Sequence, residues 1–258
     1  MNVNLAIGSC CLKTNLQLPN RFTTEMMLRP LLADLATLFF PRPCLACRAP
    51  LVAGEEYVCT GCRAELPYTD YHLLPPDQNP LARRFWGRLP VQHTLSYLRF
   101  LRHGRVQKLL HQLKYQGQSQ VGHALGALYG AELVSTDLAA QFDLVVPVPL
   151  HRRKLARRGY NQAEAFSTGL AAALACPSHA QVLRRTEHTA SQTRKGRAAR
   201  WQNVATVFEV AEPQAVLGCH VLLVDDVLTT GATLEACGAA LLAAGARAVS
   251  IATIACAE

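Results

Sequence analysis

The stretch Val221-Leu222-Leu223-Val224-Asp225-Asp226-Val227-Leu228-Thr229-Thr230-Gly231-Ala232-Thr233 decides the fold. It opens with four apolar residues, two of them β-branched. That run is too short for a helix and suits a buried strand. Two acids follow, then a small hydroxyl-rich turn, then an alanine-rich segment that predicts a helix to about Gly245. A strand that ends in a polar turn and opens a helix builds a ligand site at the carboxyl edge of a parallel sheet. The turn from Thr229 to Thr233 leaves backbone N–H groups free at a helix start, which suits a phosphate. Asp225 and Asp226, when ionised, only accept hydrogen bonds, so they suit sugar hydroxyls or a Mg2+ ion beside that phosphate.

The stretch resembles the 5-phosphoribosyl-1-pyrophosphate (PRPP) signature of type I phosphoribosyltransferases at all thirteen positions: apolar run, two acids, two apolar residues, then Thr-Thr-Gly-Ala-Thr. The resemblance implies that Asp225 and Asp226 hold the ribose hydroxyls. It also implies that Thr229, Thr230, Gly231, Ala232 and Thr233 cradle the 5-phosphate. Two other patterns share part of the string. One is an ordinary βα turn with a surface acidic pair. The other is a response-regulator receiver, whose first strand also ends in two acids, although too little chain follows here for one.

With 258 residues, half of them hydrophobic, the chain can bury a real core and hold one domain with a small appendage. A net charge of +8 calls for an anionic partner, nucleic acid or phosphorylated metabolite, without choosing between them. No apolar run reaches the length of a membrane span. The first residues lack the basic start and clean apolar stretch of a secretory signal. Ten cysteines without such a signal favour metal over disulfides and a cytoplasmic location.

Residues 1–27 show no period and are expected to be disordered or an extension from an upstream start, Met26 and Met27 lying just before the first organised stretch. Leu28, Leu31, Leu32, Leu35 and Leu38 then share one helical face. Cys44-x2-Cys47 and, after eleven residues, Cys59-x2-Cys62 predict two knuckles that bring four thiolates round one tetrahedral Zn2+. Four thiolates leave no open position for water, so that zinc is structural. A redox dithiol or a pair of disulfides is the other use of such pairs, but no βαβ context of the thioredoxin kind surrounds them. Residues 28–66 therefore form a helix plus zinc domain. The proline-rich residues 67–90 follow as a linker whose Tyr68, Tyr71, Phe85 and Trp86 pack on something.

The last expected domain is 91–258. Thr94 to Leu101 predicts a strand. Val106, Leu109, Leu110 and Leu113 predict a helix ending near Lys114-Tyr115, and Val121, Leu125 and Leu128 face inward from a second. Asp143 to Val148 predicts a buried strand. His151 to Gln162 then forms the densest basic loop, with Arg152, Arg153, Arg157 and Arg158. Asn161 and Glu164 have the spacing of a capping box. Gln181 to Arg185 predicts a short strand, Thr186 to Asn203 a long polar loop, and Arg247 to Ala255 a closing strand. The order predicts an α/β fold with a parallel sheet.

Taken in order, the zinc pairs, Lys114-Tyr115, Val146-Pro147-Val148-Pro149-Leu150, Arg158-Gly159-Tyr160-Asn161-Gln162 and the signature are similar to the ComF family, also called GntX-like or amidophosphoribosyltransferase-like proteins. The resemblance covers about residues 28–256. It implies a type I phosphoribosyltransferase-like sheet flanked by helices, preceded by a small four-cysteine, zinc-ribbon-like domain. It also implies PRPP with Mg2+ as ligand and a role in natural competence with single-stranded DNA and competence or recombination proteins. Pro147 to Arg153 would face the pyrophosphate, and Thr186 to Arg200 would cover the site. Three functions stay open: a phosphoribosyltransferase, including one of nucleobase salvage, with no residue announcing itself as the catalytic base; a nucleic-acid-binding module; and a PRPP sensor without turnover.

Overall fold

The computed structural model describes residues 42–186 and 207–257. The expected extension 1–27, the helical face 28–38 and nearly all of the polar loop 186–203 lie outside the described residues. The strands are β1 (Val91–Phe100), β2 (Leu144–Pro147), β3 (Leu183–Arg185), β4 (Phe208–Val210), β5 (His220–Leu228) and β6 (Ala248–Ala257). The α-helices are α1 (Thr60–Ala64), α2 (Arg105–Tyr115), α3 (Ser119–Val134), α4 (Arg152–Arg158), α5 (Gln162–Ala173) and α6 (Ala232–Ala243).

Four strands form one parallel sheet in the order β1-β6-β5-β2. The central strands β5 and β6 are near-continuous apolar runs because both of their faces are covered. Along β5, alternate side chains leave for opposite faces. Leu222 and Val224 join a core with Leu95, Tyr97, Leu125, Phe166 and Leu170. Val221 and Leu223 join another with Leu144, Val146, Leu234, Leu241 and Phe85.

On the first face, α3 and α5 lie backbone against backbone. A Cβ at Gly126 would overlap the Phe166 carbonyl oxygen, and one at Gly169 would overlap that of His123. Only hydrogen fits between the two helices there.

Three local expectations change. The basic stretch after β2 is a helix, α4, and not a loop: Arg, Lys, Leu and Ala are good helix formers. Its ends are also provided for. His151 Nδ1 accepts from the Arg153 N–H at 3.1 Å, and Gly159, at φ 81°, donates its N–H to the Leu155 carbonyl. The cap before α5 is one-sided, Asn161 Oδ1 accepting from the Ala163 N–H at 3.1 Å. The short strand β3 does not enter the main sheet; it pairs antiparallel with β4, a strand the sequence pattern did not suggest. Residues 67–90 contain two 3-10 turns, Tyr71–Leu73 and Ala82–Arg84. Buried Asn79 ties this segment down, its amide donating to the carbonyls of Thr94 at 2.7 Å and Tyr71 at 3.2 Å.

Candidate functional site at the carboxyl edge of the sheet

Strand β5 ends with Asp225 and Asp226, and the chain then turns through exposed Thr229 and Thr230 into Gly231, at φ 81°, the N-cap of α6. The left-handed conformation favours glycine. The space does too, since a Cβ there would meet the Phe85 ring at 3.0 Å. The N–H groups of Thr230, Gly231 and Thr233 have no partner among the described residues, and that of Ala232 has only a long contact of 3.4 Å to Thr230 Oγ1. This is the donor-rich helix start that binds anions.

Asp225 Oδ1 accepts from the Asp226 N–H at 2.8 Å. Burial and the adjacent Asp226 charge push the Asp225 carboxyl up to about 7, against the pull of that N–H and of the Lys114 and Lys154 charges. Lys114 Nζ lies 2.8 Å from Asp226 Oδ2. The sequence marks Lys114 at a helix end but suggests no role for it, because its partner lies far along the chain.

Nothing in the sequence singles out Arg84. Its guanidinium donates to the carbonyls of Leu228, Thr229 and Ala257, tying the turn to the end of β6. Arg88 Nη1 reaches Glu235 of α6 at 2.8 Å. The proline-rich segment therefore holds the anion turn from behind. The aromatics in it were the only signal that it packs.

The Arg158-to-Gln162 segment braces the other side. Arg158 lies over the Tyr115 ring, 5.6 Å from its centroid, and donates to Gln162 Oε1 at 2.5 Å. The Tyr160 hydroxyl donates to the Leu113 carbonyl, and Asn161 Nδ2 to that of Val148 at 2.9 Å. These bonds hold the end of α2, and with it Lys114, against the sheet. Parallel pairing of β2 with β5 brings Pro147 beside Val224, so Pro149 to Arg153 starts next to the acid pair. A pocket of about 200 Å3 lies between that connection and β3, lined by His151, Arg152, Arg184, Arg185 and Thr186 among others. Arg153 and Arg157 are exposed on α4. The structure thus gathers Asp225, Asp226 and the Thr229–Thr233 turn at one edge, with the β2–α4 connection starting beside them.

The four cysteines Cys44, Cys47, Cys59 and Cys62 place their sulfurs within 4.8 Å of one another. Cys47 Sγ lies 3.8 Å from Cys59 Sγ. A tetrahedron with Zn–S bonds of about 2.3 Å has edges of about 3.8 Å, so the donor set fits one such ion. Knuckle N–H groups already face the sulfurs: Cys59 N–H to Cys44 Sγ and Cys62 N–H to Cys59 Sγ, both at 3.4 Å. Burial opposes ionisation of Cys44, but the N–H groups of Cys59, Cys47 and Ala46 outweigh it and bring that thiol to about 6. Burial and the neighbouring sulfurs push Cys62 up to about 12. A divalent cation removes that conflict by letting all four ionise.

The phosphoribosyl transferase domain model matches residues 103–257, more than half of the chain. The DNA utilization protein YhgH of Escherichia coli (strain K12) is 30% identical over 229 residues, covering 83% of this chain and 96% of that protein. Competence protein F of Haemophilus influenzae is 28% identical over 206 residues, 76% of this chain and 89% of that protein. Competence protein ComFC of Bacillus subtilis is 26% identical over 207 residues, with coverage of 76% and 82%. A solved glutamine PRPP amidotransferase from B. subtilis, complexed with ADP and GMP, aligns over 55% of this chain and 30% of its own at 21% identity, with a TM-score of 0.40. The chain belongs to the phosphoribosyl transferase domain family and, within it, to the ComF proteins. No helix among the described residues is long and apolar enough to cross a membrane.

Proposed function

We propose that the chain binds PRPP with Mg2+ at the carboxyl edge of its sheet and handles single-stranded DNA in natural competence. The observation that carries the first half is one constellation: two carboxylates at the end of β5 followed directly by a helix start with unpartnered N–H groups. The N–H groups and Thr side chains of Thr229 to Thr233 would hold the 5-phosphate. Asp225 and Asp226 would take the ribose hydroxyls, and Arg152 with the β2–α4 connection would meet the pyrophosphate. Mg2+ would neutralise the diphosphate. If ribosyl transfer follows, the chain's own residues contribute positioning and charge support for the leaving pyrophosphate. Turnover of PRPP with a panel of nucleobases separates a transferase from a PRPP sensor.

The second half rests on the names of the relatives, a DNA utilization protein and two competence proteins, together with the net charge of +8. Calorimetry tests the PRPP reading. Wild type should bind PRPP only with Mg2+, and Asp225→Asn/Asp226→Asn protein should lose at least tenfold in affinity. Equal affinity in both proteins would show that the acid pair is not the site.

A further inference from the structure

A second groove lies between α2 and the first cysteine knuckle. It has a volume of about 570 Å3, and no acid among the described residues lines it. Arg48 of the knuckle and Lys108 of α2 supply its charge, with the imidazoles of His103 and His111 beside them. Its floor includes Gln112, only 4% exposed. Gln112 Nε2 donates to the Leu45 carbonyl at 2.6 Å, which fixes the amide's orientation. The other amide atom, Oε1, is buried with no hydrogen-bond partner among the described residues. A buried acceptor without a donor is destabilising.

Lys108, His111 and Tyr115 follow at i, i+3 and i+7, so they share one face of α2. The His111 and Tyr115 rings are 4.8 Å apart, and Tyr115 is 60% exposed. The guanidinium of Arg158, at the end of α4, lies 5.6 Å from the Tyr115 centroid. Cation, flat rings and cation thus run without a break from the cysteine knuckle to the basic helix.

We propose that this strip is the track for single-stranded nucleic acid, running from Arg48 and Lys108 past His111 and Tyr115 to Arg158 at the end of α4. The inference rests on the DNA reading and adds its location. A flexible strand offers phosphates every few ångströms and bases with two flat faces; alternating cations and rings match both. None of these residues is among those assigned to PRPP, so PRPP and a strand have separate contacts.

The test is anisotropy of a fluorescent single strand, titrated with the full chain at several salt concentrations. Arg48→Ala/Lys108→Ala protein should bind at least tenfold more weakly. Its slope of log K against log salt should flatten by about 1.4, at about 0.7 for each phosphate that is no longer neutralised. Near-UV circular dichroism reports whether the variant is folded, and Lys108→Gln alone serves if the double change unfolds it. Strands carrying 5-iododeoxyuridine should photo-crosslink to His111 or Tyr115. If wild type binds and the folded variant binds equally, or crosslinks fall elsewhere, the track is wrong while the DNA reading stands. If wild type binds no strand at low salt, both fall.

Discussion

At the scale of single residues, the site turns on charge held in a tight space. The folded Asp225 carboxyl keeps its proton up to about pH 7, where an unperturbed one loses it near 3.8. Its contribution to stability is therefore complete below about pH 4 and is lost as pH rises through about 7. Ligand binding runs the other way, because the pair must be charged to hold Mg2+ and hydroxyl donors. Affinity for PRPP with Mg2+ should rise between about pH 6 and pH 8, as calorimetry across that range would read. Asp225→Asn should abolish that rise and stabilise the ligand-free protein at pH 8 by about 1–2 kcal/mol in chemical denaturation, the partly solvated position discounting the full shift. Lys114→Ala removes one of the two cations that oppose the upward shift, so the midpoint of the binding profile should move to higher pH. The acid pair and the turn were legible in the sequence because one βα unit carries all of them. Lys114 and Arg84 were not, since each acts on a partner that only the fold brings near.

At the scale of elements, the apolar periods located β1, β2, β5, α2 and α3. They did so because each of these elements has a face that must be buried. The basic stretch of α4 reads as a loop for the opposite reason. It buries almost nothing, so it has no apolar period, and propensity and capping alone make it helical. The contact between α3 and α5 was also hidden, because periodicity is carried by large residues and the closest approach is made by the smallest. Gly126→Ala puts a methyl carbon where the Phe166 carbonyl oxygen stands. It should cost about 2–4 kcal/mol in urea unfolding, since neither backbone can retreat without moving the other helix off the sheet. Alanine at Gly61, inside α1 with nothing within 4 Å, should be neutral or stabilise by up to about 1 kcal/mol and serves as the control.

At the scale of the molecule, the cysteine knuckles are no detached appendage. Cys44, Leu45, Val58, Cys62 and Leu66 belong to the same core as Leu109, Leu113 and Phe166. Purified protein should carry about one zinc per chain, and Cys59→Ser should lower that content in metal analysis. Chelation should also weaken PRPP binding, although no PRPP contact is a cysteine. The knuckle holds Gln112, and Lys114 lies two residues further along the same helix. Unchanged affinity in metal-free protein would show that α2 keeps its place without the knuckle.

The strand order β1-β6-β5-β2 carries a consequence for synthesis. The two outer strands of the sheet come early in the chain, and they are not neighbours; what joins them is the last pair made. During translation β1 and β2 must wait, with their edges open, until β5 and β6 leave the ribosome. A nascent chain halted before His220 should be digested rapidly by protease, while one extended beyond Glu258 by a linker that clears the exit tunnel should resist. Between those two lengths the ComF chain depends on whatever shields an unfinished sheet.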